Sequence, residues 1–359
     1  MIKLSKFSQL GFGIIMLLVI LYLGSKVDFI FKPVISLFTV ITVPLMLSAF
    51  FYYLLRPVVD FLARNKMNRT AAILLIYLVI ALILAGFIVG VWPSLREQLV
   101  NLVESAPDLF NALSRQLQEW EQNEVFSGLI PEGTSVISQV TEYLNKGFTF
   151  LTDYVTSLIS VISNIAVILF IFPVILFYQL KEGGKFGKAI VRSVPKRFQG
   201  DAAEVVGDID NALSGYIIGR VIANLALGVL MFIGFILIDL PYALLLTVIA
   251  IILNFIPFVG AFLSAIPIVI IGLIESPTIA LWSLVIILLA QQIQDNLIAP
   301  YIYGKQLDIH PLTTIVLVLI GSDLAGIIGM LIIIPCYMIV KILAVKAYQL
   351  FFKEKWENA

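Results

Sequence analysis

Polar side chains are sparse along this chain, and between them run near-continuous apolar stretches at residues 10–24, 33–55, 70–92, 157–180, 217–239 and 278–299. Each approaches the roughly 20 residues that a helix needs to cross ~30 Å of hydrocarbon. The runs are too long for barrel strands and lack their alternation, so helices are the only spanning structure left. The expected fold class is all-α, a polytopic transmembrane protein of about eight membrane segments. Gly24-Ser25-Lys26 follows the first run in place of a small-x-small cleavage site, so that run reads as a retained helix.

Two further apolar stretches, 241–274 and 311–345, are interrupted where a crossing helix has no reason to stop. In the first, Asn254-Phe-Ile-Pro-Phe-Val-Gly260 leaves about sixteen residues on either side, and a helix of that length reaches only ~24 Å. In the second, Leu312 to Ile320 is too short to cross before Gly321-Ser-Asp-Leu-Ala-Gly326. Opposed re-entrant hairpins, with tips at Pro257–Gly260 and Gly321–Gly326, accommodate both; tilted crossings are the alternative. Segments 217–274 and 278–345 would then form an inverted repeat. Leu246-Thr247, Leu253 and Gly260 match Leu312-Thr313, Leu319 and Gly326 at a constant offset of 66.

Helical periodicity also marks two amphipathic stretches. Leu95, Leu99, Leu102, Ala106, Leu109, Leu113, Leu117 and Trp120 form one stripe, expected to cap neighbouring helices or lie on the membrane surface. Ala202, Val205, Val206, Ile209, Leu213, Tyr216 and Ile217 form another, expected as an interfacial helix feeding the fifth crossing.

Charge orients the bundle. Arg56, Arg64, Lys66 and Arg69 in one linker and Lys181, Lys185, Lys188, Arg192, Lys196 and Arg197 in another belong on the cytoplasmic side, as do both termini. The acidic segment 94–156 belongs outside. Composition agrees with the membrane assignment: 60% of residues are hydrophobic, 13% are charged, and the net charge is zero, which leaves no basis for nucleic-acid binding. The single cysteine, Cys336, reads as a small apolar core residue, and no metal-ligand spacing or phosphate-binding loop occurs. No cofactor is expected beyond a coupling H⁺ or Na⁺.

Candidate chemistry concentrates in the last third. Gln291-Gln-Ile-Gln-Asp-Asn296 is the densest polar run, and helical spacing puts Gln291 with Asp295, and Gln292 with Asn296, on common faces. A carboxylate at depth, Asp295 or Asp323, implies a partner or a cavity. Arg220 and Asn224, one turn apart, would meet Asp295 or an anionic substrate, unless Arg220 snorkels to headgroups. Asn254, Pro257 and Gly260 would line the site from the first tip. His310 and Ser322 lack a visible catalytic companion, so an enzyme is not expected.

Together these residues carry a family pattern. Asn254-Phe-Ile-Pro-Phe-Val-Gly-Ala-Phe-Leu-Ser-Ala-Ile-Pro267, Asp295-Asn-Leu-Ile-Ala-Pro300 with Gly304, Gly326-Ile-Ile-Gly329-Met-Leu-Ile-Ile-Ile-Pro335 and Gly219-Arg220 resemble the autoinducer-2 exporter family of bacterial permeases. Asp295 stands where members commonly carry glutamate. The resemblance implies an oligomeric plasma-membrane permease, members of which export autoinducer-2 or exchange monovalent cations for protons. The chain divides into helices 1–93, outer region 94–156, fourth helix with basic linker 157–216, transport core 217–345 and tail 346–359. A secondary transporter of a small polar solute is expected, with Pro257, Pro267, Pro300, Gly260, Gly304, Gly321, Gly326, Gly329 and Pro335 permitting hinges or close approach; cation/proton antiport and a membrane scaffold are the alternatives.

Overall fold

The structure is a computed structural model that describes residues 28–105, 170–298 and 309–350, with isolated positions at 16, 108, 111, 115, 300 and 301. It is helical throughout, with no strand among the described residues. In chain order the helices are α1 (Asp28–Arg64), α2 (Arg69–Gly90), α3 (Trp92–Glu104), α4 (170–193), α5 (Gln199–Leu237), α6 (Ala243–Leu253), α7 (Val259–Glu275), α8 (Pro277–Ile293) and α9 (Pro311–Tyr348). Five helical stretches among the described residues are long and apolar enough to cross a membrane: Ile41–Arg64, Arg69–Gly90, Lys196–Leu237, Pro277–Ile298 and Pro311–Tyr348.

Local chemistry sets the helix ends. Lys66 takes φ 67°, the left-handed geometry that closes a helix, and the Asn68 side chain then accepts a hydrogen bond from the Thr70 amide to start α2. Ser276 likewise accepts from the Ile279 amide while Pro277 occupies the first turn of α8. His310 accepts from the Leu312 amide ahead of Pro311, so the lone histidine caps α9.

One group of helices is α1, α2 and α4, packed around Val59, Ala72, Ile73, Ile76, Leu176 and Leu180. Arg69 reaches the Leu180 carbonyl at 2.7 Å, and Tyr77 donates to the Pro173 carbonyl at 2.7 Å. A second core joins α5 through α8 by way of Leu227, Met231, Phe235, Leu246, Ala250, Ile268, Ile271 and Ile287. Small residues bring α7 and α8 close: a Cβ on Gly272 would meet the Ala280 backbone at 2.8 Å. Helix α3 docks on this core through Leu102, and Gln98 accepts from the Leu245 amide at 3.0 Å, satisfying a free N–H in the first turn of α6. That is the capping role expected for the start of the outer stripe; its continuation past residue 105 lies almost wholly outside the described residues.

The second amphipathic stripe does not form a separate interfacial helix. It runs into the fifth crossing as one unbroken helix of 39 residues, because nothing between Asp201 and Leu237 is a proline or a positive-φ position. Its end nearest the basic linkers is tied by Arg56–Asp210 (2.5 Å) and by Lys346 to Asp201 (3.1 Å) and Glu204 (2.6 Å). Cys336 also departs from the sequence reading: it is exposed on an α9 face of aliphatic residues. In a membrane helix the outward face is apolar as well, so apolar neighbours do not mark a core position.

Both interrupted stretches fold back on themselves. α6 has 11 residues and α7 has 17, and a Cβ on Gly260 would overlap the Leu253 backbone, so the two arms touch immediately beside the turn. In α9 the helix is broken at Ala325 (φ −150°) and Gly326 (φ 58°), and Gly321 and Gly329 lie backbone to backbone across the break. Only a reversal of direction brings two residues eight apart in a helix into that contact.

Candidate functional site

The tip of the α6–α7 hairpin is built from short-range bonds. Asn254 ends α6 by donating its side-chain amide to the Ala250 carbonyl at 2.9 Å. Phe258 then has φ 62° and ψ −55°, with the Val259 amide bonded to the Pro257 carbonyl at 2.7 Å, which defines a γ-turn of the rare positive-φ hand. Such a conformation on a bulky residue costs of order 1–3 kcal/mol and persists only where the surroundings hold it. Phe255 contributes by packing edge-on against Phe50 of α1, 6.1 Å between ring centres.

What holds the tip from the other side is Arg220. Its guanidinium donates to the Asn254 carbonyl, at the negative end of the α6 dipole. Arg220 therefore points inward and does not snorkel; with α5 starting at Gln199 it is not near a helix end. One turn on, Asn224 is fully buried and its Oδ1 accepts from Gln294 Nε2 at 3.3 Å. Thus α5, the first hairpin and the end of α8 converge on one polar cluster inside an apolar bundle.

Gln294 belongs to a π-helical turn, Gln294–Ile298, that continues α8. The wider turn shifts the residues off the 3.6-residue repeat. Gln294 is buried as a result, whereas Gln292 and Asn296 are exposed and bonded to each other at 2.6 Å. Asp295 is exposed and forms no ion pair with Arg220, so the carboxylate at depth expected from the sequence is not found at this position. Gln291 is half-buried, Pro300 is exposed, and Gly304 lies outside the described residues.

The cluster is incompletely satisfied. Arg220 Nε, Asn224 Nδ2 and the hydroxyl of buried Thr247 have no protein partner. An unmade hydrogen bond on a buried group costs about 1–3 kcal/mol, so these atoms call for water or a bound polar group as a partner. Gly228, the next position on the Arg220–Asn224 face of α5, lies against Ile251 and Thr247 and extends the seam.

The second hairpin is placed differently. Lys346 pairs with Glu204, and Ile334 and Met338 pack with Tyr216 and Ile217, so its last arm runs antiparallel to α5. Carried eight residues further, about 12 Å, that register brings the Ala325–Gly326 tip level with Asn224. Asp323 is nevertheless exposed, and no bond or ion pair joins it to Arg220, Asp295 or Asn254. Pro267 and Pro335 sit inside α7 and α9. No group of three or more metal-ligating side chains occurs among the described residues.

A family model described as AI-2E family transporter matches residues 12–349. The chain belongs to the AI-2E transporter family. YueF of Bacillus subtilis (strain 168), which carries a transport protein's name without a stated solute, is 32% identical over 332 residues, covering 91% of this chain and 90% of its own. TqsA of Escherichia coli (strain K12), named as an AI-2 transport protein, is 27% identical over 310 residues, covering 84% of this chain and 85% of its own. The chain is therefore an integral membrane protein of an AI-2E-family transport type, and the Arg220 cluster lies within the matched region.

Proposed function

We propose that this AI-2E-family protein is a secondary transporter of a small polar solute, and that the solute binds beneath the tip of the first hairpin. The observation that carries this reading is the set of unpartnered polar atoms on Arg220, Asn224 and Thr247, buried where α5, α6 and the α8 end converge. With α6 only 11 residues long, the hairpin is re-entrant and its tip is the mobile gate. Making and breaking the Arg220–Asn254 bond while the strained Phe258 turn relaxes exposes the site to each side of the inner membrane in turn. Autoinducer-2, named for TqsA, is the first solute to offer.

A second reading is monovalent cation/proton antiport, favoured by Asp295, an exposed carboxylate next in sequence to Gln294 of the cluster. Liposomes holding purified protein and an internal pH dye separate the two. Labelled autoinducer-2 uptake lost in Asn224→Leu supports the solute transporter; a pH change triggered by Na⁺, Li⁺ or K⁺ and lost in Asp295→Asn supports the antiporter. The absence of both responses rules out transport at this cluster. A homo-oligomer, with both termini cytoplasmic, completes the proposal, and crosslinking in native membranes measures its order.

A further inference from the structure

The cluster atoms left without any partner can all donate. Asn224 Oδ1 is occupied by Gln294, and the Asn254 carbonyl is occupied by Arg220. What remains are the Arg220 Nε–H, the Asn224 amide N–H and the Thr247 hydroxyl: two donors and one group that can donate. A desolvated alkali cation needs oxygen acceptors, as hard cations do, and a guanidinium in the site repels it. An oxygen bearing negative charge meets the opposite situation, because a charge-assisted bond to Arg220 and a neutral bond to Asn224 are both waiting.

Spacing narrows the ligand. Arg220 and Asn224 are neighbours at i, i+4, so their Cβ atoms are about 6 Å apart. Thr247 lies further along the seam, where Gly228 of α5 is packed against the Ile251 side chain. A carboxylate between Arg220 and Asn224 would satisfy both of those donors.

We propose that the seam between α5 and α6 selects small organic oxyanions and does not bind bare alkali cations. This rests on the reading that the solute site lies at the Arg220 cluster, and it names the chemistry of that site.

The test uses the full chain in nanodiscs with L-lactate as the probe. Thermal unfolding midpoints are compared in sodium lactate and in equal concentrations of sodium, lithium and potassium chloride. Lactate is expected to raise the midpoint by mass action, and the three chlorides to give one common value. Arg220→Lys keeps the charge but loses the planar fork, so about tenfold more lactate is expected for half the rise. Asn224→Asp places a carboxylate one turn from Arg220: its midpoint should be higher without lactate and insensitive to it. That reversal separates a binding role from a packing role, and it covers the case in which Asn224→Leu fails to fold.

Equal midpoints in lactate and chloride, as water alone in the seam would give, overturn the proposal. So does a midpoint that follows the identity of the alkali cation and loses that dependence in Asn224→Asp. Uptake of labelled lactate and of ²²Na⁺ into proteoliposomes distinguishes the two levels. Sodium flux lost in Arg220→Lys, with no lactate effect, sinks the oxyanion class and leaves the transport site standing. Lactate binding that disappears in Arg220→Lys while flux is unchanged does the opposite.

Discussion

The two hairpins reach the same height on α5 and solve the turn in opposite ways. In the first, a phenylalanine occupies positive φ, the turn is held by Arg220 and Phe50, and the neighbouring polar groups are buried. In the second, a glycine takes the positive-φ position, a Cβ there would meet nothing within 4 Å, and Asp323 beside it is exposed. Strain is present where the tip is clamped and absent where it is open. The contrast separates a turn that is held by its surroundings from one that forms by itself.

The comparison breaks first, and most severely, at what the hairpins share. Gly260→Ala and Gly329→Ala each drive a methyl into the backbone of the opposite arm, at Leu253 and Gly321. Neither backbone can give way as a flexible side chain would, so each substitution should cost ~3 kcal/mol or more. Recovery of monodisperse protein from detergent should fall in both. Gly228→Ala, which meets only side-chain atoms, of Ile251 and Thr247, should lose much less.

The next contrast concerns anchoring. Arg220→Met removes a charge-assisted bond to a buried tip and should cost about 1.5–3 kcal/mol, together with at least tenfold in transport. Asp323→Asn at the open tip should stay within about 0.5 kcal/mol by thermal unfolding. If the two substitutions cost the same, the clamped and open tips are not different in kind.

Backbone strain predicts a change of sign. Phe258→Gly should stabilise the protein by up to ~1 kcal/mol, since the turn no longer strains a side chain, while Gly326→Ala should destabilise it by about 1–3 kcal/mol. Midpoints moving in the same direction would remove the distinction. The smallest effect is at α8: Gln292→Ala breaks an exposed pair and should cost a few tenths of a kcal/mol, whereas Gln294→Ala uncaps buried Asn224 and should cost about 1 kcal/mol or more.

How much of this was legible in the sequence depends on which period governs each stretch. The apolar runs gave the helical class directly, because length and composition suffice for that. The breaks at Pro257–Gly260 and Gly321–Gly326 located both turns, yet an offset of 66 pairs Gly260 with Gly326, whereas the close approach made by Gly260 is made in the second hairpin by Gly329. Contact across a turn is a three-dimensional property and leaves no spacing rule between unequal turns. Gln294 was passed over because a 3.6-residue period puts Asp295 and Gln291 together; the π-helical turn that buries Gln294 has no local sequence signal. Arg220 and Asn224 were found as a pair, but their partners are 34 and 70 residues away.

The length of α5 has a mechanical consequence. Its 39 residues make a shaft of about 58 Å, pinned to α1 at Asp210 and to the first hairpin at Arg220. At about 100° per residue those two pins stand roughly 80° apart around the axis. A shaft without a joint cannot turn at one pin and stay still at the other. A twist applied at Arg56 and Asp210 therefore arrives at Asn254, and the part-buried ion pair and the first hairpin's tip are coupled through one rigid helix.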